Sequence, residues 1–177
     1  MLGTIWQNYN VPDRSDYYCP VNLYAASKQT FIDMARYYTE TSNIRFCTLK
    51  LCDTFGPNDT RRKIFALFDQ RAQTGEQLDM SAGDQLMDIL HIEDVTSGFC
   101  HLAEMLHEDV NVLDEYVLSS GQQISLKQLA KNYERNHNVR LNINWGKRPY
   151  RQREVMKPYV GNILPNWTPN HISHIIE

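Results

Sequence analysis

The chain has 177 residues, of which 42% are hydrophobic and 22% are charged, and its formal net charge is −3 at pH 7. This length and composition predict a soluble globular protein with one core, or one core and a small additional lobe. The slight acidity, and the lack of basic runs interleaved with aromatic residues, exclude a typical nucleic-acid-binding protein. The sequence contains no run of about 18 apolar residues and no secretory signal pattern, so we expect neither a membrane span nor export.

The cysteines and histidines show no spacing typical of a metal site. Neither the pair His171 and His174 nor the pair His101 and His107 has a carboxylate or a cysteine at a zinc-site interval. We therefore predict no metal centre. The four cysteines are interpreted as reduced, mostly buried thiols of a cytoplasmic protein: Cys19, Cys47, Cys52 and Cys100.

The first regular elements are predicted after an irregular stretch that ends at Pro20. Residues 23–41 form a helix with a buried apolar stripe, because large or small apolar side chains recur at helical spacing in Phe31, Met34, Ala35 and Tyr38. Residues 44–52, IRFCTLKLC, are apolar on both faces and predict a buried parallel strand. The segment DTFGPND, residues 53–59, is interpreted as a loop.

The next elements follow from capping and periodicity. A helix is predicted from Lys63 to Thr74, ended by Gly75, and strands are predicted at 77–81 and 86–92. Asp94 is predicted to cap a helix whose apolar positions are Val95, Phe99, Leu102, Ala103 and Leu106.

The remaining elements complete an α/β pattern. Residues 115–120 and 139–145 predict strands, and a short helix is expected after the segment NWTPN, residues 166–170. Ser125 and Gln128 are predicted to form a capping box at the start of another helix.

The segment NLYAASK, residues 22–28, places Tyr24 four residues before Lys28. On a helix these side chains share one face, so a phenol and an ammonium can reach a common ligand. Two polar residues on an ordinary helix surface are the alternative, and the pair by itself does not distinguish them.

A dinucleotide-binding sheet normally begins with a strand, a glycine-rich turn and a helix. The sequence contains neither G-x-G-x-x-G nor G-x-x-G-x-x-G, and its eight glycines are far apart. The chain therefore has no phosphate-cradling turn of its own.

Several segments occur together in a characteristic order. They are NLYAASK, LKLCDTFGPND, LMDILHIEDV, SSGQQISLKQLA, RPYRQREVM and LPNWTP. This order resembles the C-terminal half of an extended short-chain dehydrogenase/reductase of the NAD-dependent epimerase/dehydratase family, which acts on nucleotide sugars. Within that family, the segments GTIWQNYN, LCDTFGPND and RPYRQREVM are most similar to 4-ketoreductases of the CDP-abequose synthase type.

The resemblance implies an α/β fold: the C-terminal half of a Rossmann-like doubly wound sheet with a small α/β substrate-binding lobe. It places the residual Rossmann portion at 1–60 and the substrate-binding lobe, interleaved with remaining sheet elements, at 61–177. The implied cofactor is NAD or NADP, and the implied substrate is a nucleotide-diphosphate sugar.

The resemblance also assigns catalytic and cofactor-binding residues. Tyr24 would be the general acid/base, and Lys28 would favour its phenolate and hydrogen-bond the nicotinamide ribose. Leu51 and Cys52 would flank the nicotinamide. The catalytic Ser/Thr position of the family falls on Leu2, which has no hydroxyl, and Thr4 would replace it only after a two-residue shift of about 6 to 7 Å along the strand.

Four further positions match residues that contact the substrate in the family: Asp53, Met87, Arg151 and Glu154. Arg151 would clamp the diphosphate and Glu154 would accept from the nucleotide ribose. Asp53 stands where an asparagine is common, and Met87 stands where many relatives carry a diphosphate-binding arginine. Arg148 or Arg153 would supply the missing cation.

Two functions therefore remain open: a nucleotide-sugar oxidoreductase fragment that is inactive without a cofactor-binding half, and a catalytically dead module that binds a nucleotide sugar or a protein. Because the family's cofactor-binding half is missing, we expect an exposed apolar face and an unpaired strand edge. The resemblance makes a homodimer the expected assembly.

Overall fold

The computed structural model describes residues 1–9, 18–57, 59, 61, 63–108 and 111–171. Its helices are α1 Leu23–Thr41, α2 Ile64–Thr74, α3 Ile92–His107 and α4 Leu126–His137, and a single 3-10 turn covers Ile5–Gln7. Its strands are β1 Leu2–Thr4, β2 Thr48–Leu51, β3 Asp53–Phe55, β4 Leu78–Asp79, β5 Leu86–Met87, β6 Ile89–His91, β7 Glu115–Leu118, β8 Ile124–Ser125 and β9 Ile143–Asn144.

The main sheet is parallel and has the strand order β1-β2-β7. Strand β2 is central, with Leu51 opposite Thr4 on one side and Leu118 on the other. Shorter pairs join β3 to β6 and β4 to β9 in parallel, and β5 to β8 antiparallel. The predicted α/β class is confirmed. The unpaired edge was expected beside the strand at 44–52, but β2 has neighbours on both sides, and among the described residues it is β1 that has a neighbour on one side only.

The first core lies around the main sheet. It contains Leu49 and Leu118 from the sheet, Leu90 from β6, Leu102 from α3 and Leu164 from the C-terminal region, all nearly inaccessible to solvent. Strand β2 is apolar on both faces because it is covered on both faces, as parallel strands usually are.

The second core joins α2 and α4. Phe68 and Leu129 are almost fully buried, and Tyr133 packs against Phe68 with ring centroids 5.2 Å apart. Gly75 ends α2 in the left-handed conformation, with φ of 67°, as the sequence predicted. The two cores give the candidate site two walls.

Helix α1 has the predicted bounds but not the predicted burial. Only Ala25 and Ala35 are buried along it, whereas Phe31 is 51% exposed, Met34 59% and Tyr38 50%. The buried stripe was therefore a wrong prediction for these large side chains. The expectation of an exposed apolar face is confirmed, because the described residues provide no second layer over this side of α1.

The predicted strand 44–52 and the loop after it need correction. Regular pairing begins only at Thr48, and residues 53–55 form β3, whose Phe55 lies opposite His91 in β6. The pairing partner comes from more than 30 residues further along the chain, so local sequence gave no sign of it. The predicted strand 139–145 is likewise reduced to Ile143–Asn144.

Two caps also differ from the prediction. His91 is the N-cap of α3, and Asp94 lies inside the first turn, where its carboxylate accepts hydrogen bonds from the backbone of Asn170 and His171. Ser125 does cap α4 through the N–H of Gln128, but the Gln128 side chain donates to Asn132 instead of completing a box. The helix expected after residue 170 falls almost wholly outside the described residues.

The thiols are free, as predicted, but only two are buried: Cys47 and Cys52 are buried, Cys19 is half-buried and Cys100 is exposed.

Among the residues that the structure describes, no helix has the length and apolarity needed to cross a bilayer.

Candidate functional site

An open cleft with a volume of about 460 Å³ lies between the two cores. Its lining includes Ile5 and Trp6 from the turn after β1, Phe65 from α2 and Leu126 from α4. The polar and charged side chains along it are Asp53, Thr54, Lys63, Asp79, Ser81, Gln85, Arg148, Arg151, Arg153 and Glu154. A mostly apolar cleft with a few convergent charges is typical of a small-molecule site.

The four residues predicted to contact the substrate all line this cleft. Asp53 comes from β3, Met87 from β5, and Arg151 and Glu154 from a turn that precedes the C-terminal region. The structure thus brings together residues that are up to about 100 positions apart in sequence. Their individual roles stay predictions.

Asp53 lies close to the ammonium of Lys63, which donates to the Thr54 carbonyl at 2.7 Å and to the Thr54 hydroxyl at 2.9 Å. Burial raises the pKa of Asp53 to about 6, with Lys63 acting to lower it and Asp88 to raise it. The carboxyl is therefore less strongly anionic near neutral pH than an exposed aspartate, and it repels a bound diphosphate less.

The turn at 151–154 is held by its own hydrogen bonds. The Arg151 N–H donates to Oε2 of Glu154 at 3.2 Å, and the Glu154 N–H donates to the Arg151 carbonyl at 3.1 Å. The Arg151 residue is exposed at the rim, so its guanidinium is available to an anion. The turn fixes the backbone from which this cation projects.

Two other arginines line the cleft beside the uncharged Met87. The Arg153 guanidinium donates to the Pro20 carbonyl and lies 5.9 Å from the Tyr9 ring centroid. Arg148 is exposed. The pKa of Asp79 is lowered mainly by the hydrogen bonds that it accepts from Gln77 and Asn144, and the charge of Arg148 adds a smaller lowering. Arg148 is therefore the less constrained of the two candidate replacements.

Tyr24 and Lys28 share one face of α1, as their spacing predicted. The Lys28 ammonium lies 5.5 Å from the Tyr24 ring centroid, and the Tyr24 residue is 51% exposed. Neither residue lines the cleft. The structure places the pair on an accessible helix face, separate from the substrate-contact residues.

The other residues predicted for catalysis and the cofactor lie at the carboxyl ends of β1 and β2. Leu51 is half-buried opposite Thr4, and Cys52 is buried, with burial as the main cause that raises the pKa of its thiol. The Thr4 hydroxyl accepts from the Trp6 N–H at 3.3 Å and so caps the 3-10 turn. Leu2, at the family's Ser/Thr position, is 42% exposed on the edge strand.

These residues fit one part of a dinucleotide cofactor. An accessible phenol and ammonium on α1, together with the carboxyl ends of two parallel strands, suit the nicotinamide and its ribose. The 177-residue sequence contains no glycine-rich turn, so its own residues do not fit the pyrophosphate. The fit is therefore confined to the nicotinamide end.

Sequence reasoning did not identify Trp6 and Lys63 as residues of the cleft. Lys63 was identified only as a helix boundary, and Trp6 only as part of a matching segment. A lysine immediately before a helix has no special signature, and its role emerged only when β3 placed Thr54 beside it.

The model of the NAD dependent epimerase/dehydratase family matches residues 7–113. The chain belongs to this family. The matched residues include β2, β3, α2 and α3. They therefore contain Asp53 and Met87, which line the cleft. The family expected from the ordered segments is thereby confirmed, and NAD is the cofactor in the family's description.

Individual relatives agree with the family. CDP-abequose synthase of Salmonella muenchen is 25% identical over 148 residues, which are 81% of this chain and 48% of the relative. UDP-N-acetylglucosamine 4-epimerase from Methanobrevibacter ruminantium, solved with UDP-N-acetylmuramic acid, superposes with a TM-score of 0.80 at 14% identity, over 100% of this chain and 60% of that one. RMD from Pseudomonas aeruginosa, solved with NADPH, superposes with a TM-score of 0.77 at 17% identity, over 99% of this chain and 62% of that one. The chain spans about half the length of the curated relative.

Proposed function

We propose that this chain supplies the acid/base pair and the substrate-binding lobe of a nucleotide-sugar oxidoreductase that reduces a 4-keto sugar. The observation that carries the proposal is the cleft, which gathers Asp53, Met87, Arg151 and Glu154 from three separate segments. Membership of the epimerase/dehydratase family and the similarity to CDP-abequose synthase support this reaction class.

In the cleft, the guanidinium of Arg151 binds the diphosphate, and Arg148 supplies the second positive charge that Met87 does not. Glu154 accepts hydrogen bonds from the nucleotide ribose. The raised pKa of Asp53 and the positive charge of Lys63 limit the net negative charge beside the anionic substrate.

At the sugar, Tyr24 donates a proton to the carbonyl oxygen as it becomes a hydroxyl. Lys28, on the next turn of α1, stabilises the phenolate that remains and hydrogen-bonds the nicotinamide ribose. NAD(P), when bound, supplies the hydride. Leu51 and Cys52 provide an apolar, water-poor surface beside the reacting carbon.

We propose further that the 177-residue chain alone binds dinucleotide weakly and does not turn over substrate. The family places pyrophosphate binding in a glycine-rich turn, and the sequence contains none. The family hydroxyl position also falls on Leu2, while Thr4 uses its hydroxyl as a cap.

The experiment is a titration of the isolated chain with CDP- and UDP-hexoses by calorimetry, followed by an assay of 4-keto reduction with NADH and NADPH. We expect binding without turnover, and at least about tenfold weaker binding for Arg151→Ala. Arg135→Ala is the matched control, because Arg135 is exposed in the last turn of α4 and does not line the cleft. Turnover that Tyr24→Phe abolishes would refute the proposed inactivity and support the catalytic assignment. Absence of binding at millimolar ligand would refute the assignment of the cleft.

A second candidate function is a nucleotide-sugar-binding module without catalysis. It is favoured by one observation: Asp53, Met87, Arg151 and Glu154 line the cleft together, whereas Tyr24 lies on α1 outside it. Joining the chain to a cofactor-binding half from a related enzyme separates the two functions. Activity restored by the fusion supports the enzyme portion, and persistent binding without activity supports the module.

A further inference from the structure

Three potential metal ligands meet at the start of α3, away from the cleft. They are His91 at the end of β6, Glu93 in the first turn of α3 and His171 in the C-terminal segment. Nε2 of His171 lies 3.0 Å from Oε2 of Glu93, and Nδ1 of His91 lies 3.9 Å from the same oxygen. All three ligand atoms lie within 4.8 Å of one another, and none of these residues lines the cleft.

Asp94 orients one of these ligands. Its carboxylate is almost fully buried and lies 2.9 Å from Nδ1 of His171, and it also accepts from the backbone N–H groups of Asn170 and His171. With Nδ1 donating to Asp94, a neutral His171 directs its Nε2 lone pair at Glu93. A carboxylate behind a histidine is the usual arrangement that fixes the tautomer of a metal-binding imidazole.

The contact between His171 and Glu93 then needs a cation. A neutral Nε2 and a carboxylate oxygen are both acceptors, so a separation of 3.0 Å is favourable only with a proton or a metal ion between them. The His91 ring, whose centroid is 4.7 Å from that of His171, brings a third donor atom to the same place. A proton can bridge only two of these three atoms, whereas a metal ion can bind all three.

We propose that a borderline divalent cation, Zn²⁺ in the first instance, binds to Nδ1 of His91, the carboxylate of Glu93 and Nε2 of His171. Imidazole and carboxylate ligands suit Zn²⁺, and three protein ligands leave a fourth position for water. Tetrahedral bonds of about 2.0 to 2.1 Å require ligand atoms about 3.3 Å apart. The 3.0 Å separation between His171 and Glu93 must therefore widen slightly, and the 3.9 Å separation between His91 and Glu93 must close by about 0.6 Å.

The side chains permit these movements. The Glu93 side chain is 67% exposed and free to turn toward the rings. Metal binding would replace one weak interaction, the 3.3 Å hydrogen bond from the Glu93 N–H to Nδ1 of His91. The two imidazoles are already held, His171 by Asp94 and His91 by packing against Phe55, with ring centroids 5.0 Å apart.

The consequence of binding is a link between distant parts of the chain. His171 lies 78 to 80 positions after Glu93 and His91, and the same C-terminal segment contacts α3 through the indole N–H of Trp167, 3.0 Å from the Ser97 hydroxyl. A metal at this site therefore fastens the C-terminal segment to β6 and α3. Because an ion that binds the folded state stabilises it, the melting temperature rises with metal concentration.

The test is a titration of the chelator-treated chain with Zn²⁺ by calorimetry, and with Co²⁺ by visible absorption, which reports tetrahedral coordination. We expect one ion per chain and a rise in melting temperature. His171→Asn and Glu93→Gln should each weaken binding by at least about tenfold. His107→Asn is the matched control, because His107 is exposed at the other end of α3, and Cys100→Ser controls for the exposed thiol.

Melting temperatures measured with chelator separate metal binding from folding. If His171→Asn melts like the wild type in chelator but no longer gains stability from Zn²⁺, the site is supported. Equal Zn²⁺ affinity in the wild type, His171→Asn and Glu93→Gln would overturn the proposal, as would the absence of binding at a hundred micromolar Zn²⁺. Loss of binding in His107→Asn or Cys100→Ser alone would also overturn it, because the ion would then bind elsewhere.

Discussion

The ammonium of Lys50 lies 2.6 Å from Oε1 of Glu115, where the central strand β2 meets β7. Asn8 also accepts from this ammonium at 2.7 Å, and the ring centroid of Tyr159 is 5.3 Å away. The Lys50 side chain is only 4% exposed, so the main sheet contains a buried cation that depends on its partners.

Removing the counterion should destabilise the protein. Burial lowers the pKa of Lys50, whereas Glu115 raises it. We expect Glu115→Gln to reduce the free energy of unfolding by about 2 kcal/mol at pH 7, because it leaves the buried ammonium without its carboxylate. Urea unfolding followed by circular dichroism measures this change, with the exposed Glu108→Gln as control.

The loss should depend on pH. The folded state holds the Lys50 proton less tightly than the unfolded state does, because burial lowers the pKa of the ammonium. The loss of stability from burying the charged ammonium is therefore complete below the folded pKa, and it fades as the pH rises from there to 10.5. The difference between Glu115→Gln and the wild type should therefore shrink at high pH. An unchanged difference between pH 7 and pH 10 would show that Lys50 is not the affected group.

Asp53 should make stability depend on pH in the opposite direction. Its folded pKa of about 6 exceeds the ordinary value of 3.8, so the folded state binds the proton more tightly and stability falls as the pH rises from 3.8 to 6. We therefore expect Asp53→Asn to change the free energy of unfolding more favourably at pH 8, where it removes a buried charge, than at pH 3.5, where the carboxyl is already neutral. Asp33→Asn, on the exposed part of α1, should show no such difference.

The neighbouring lysine gives an independent check on Asp53. Lys63 acts to lower the pKa of this carboxyl, so Lys63→Met should raise that pKa further. Carbon-13 NMR titration of the Asp53 carboxyl measures the shift directly. A pKa that falls in Lys63→Met would contradict the assigned electrostatics.

Arg148 and Arg153 should differ in their effect on ligand binding. The Arg153 guanidinium already donates to the Pro20 carbonyl, whereas Arg148 is less constrained at the cleft. We expect Arg148→Ala to weaken binding of a CDP- or UDP-hexose about tenfold, and Arg153→Ala to weaken it less. The Arg148 contribution should decrease at high salt because its site is exposed. Equal affinities for the two variants would contradict Arg148 as the second diphosphate ligand.

The exposed face of α1 should support self-association. Phe31 and Met34 are each more than half exposed, and because the family resemblance implies a homodimer, we expect this apolar face to form its interface. Light scattering after size-exclusion chromatography should show a dimer, and the double change of Phe31 and Met34 to glutamate should give a monomer. Leu113→Glu changes an exposed apolar position outside α1, so this variant should remain a dimer. A wild-type monomer at 100 micromolar chain would contradict the assembly.

Local patterns in the sequence determined the helices and the relation of Tyr24 to Lys28. Helix α1 has the predicted bounds, and α2 ends at Thr74 as predicted but begins one residue later than predicted, at Ile64. Side-chain spacing and the glycine at a helix end act within a few residues, which is why local sequence predicts them. The ordered segments likewise determined the family, since each is a local pattern and their order is part of the sequence.

Only the tertiary structure decided which distant groups meet. It paired β3 with β6, placed Lys63 beside Thr54, and brought His171 to Asp94 across 77 positions. It also decided that Phe31 and Met34 are exposed, because helical spacing defines an apolar face but not what covers it. Burial and charge pairing depend on neighbours far along the chain, and no local pattern specifies those neighbours.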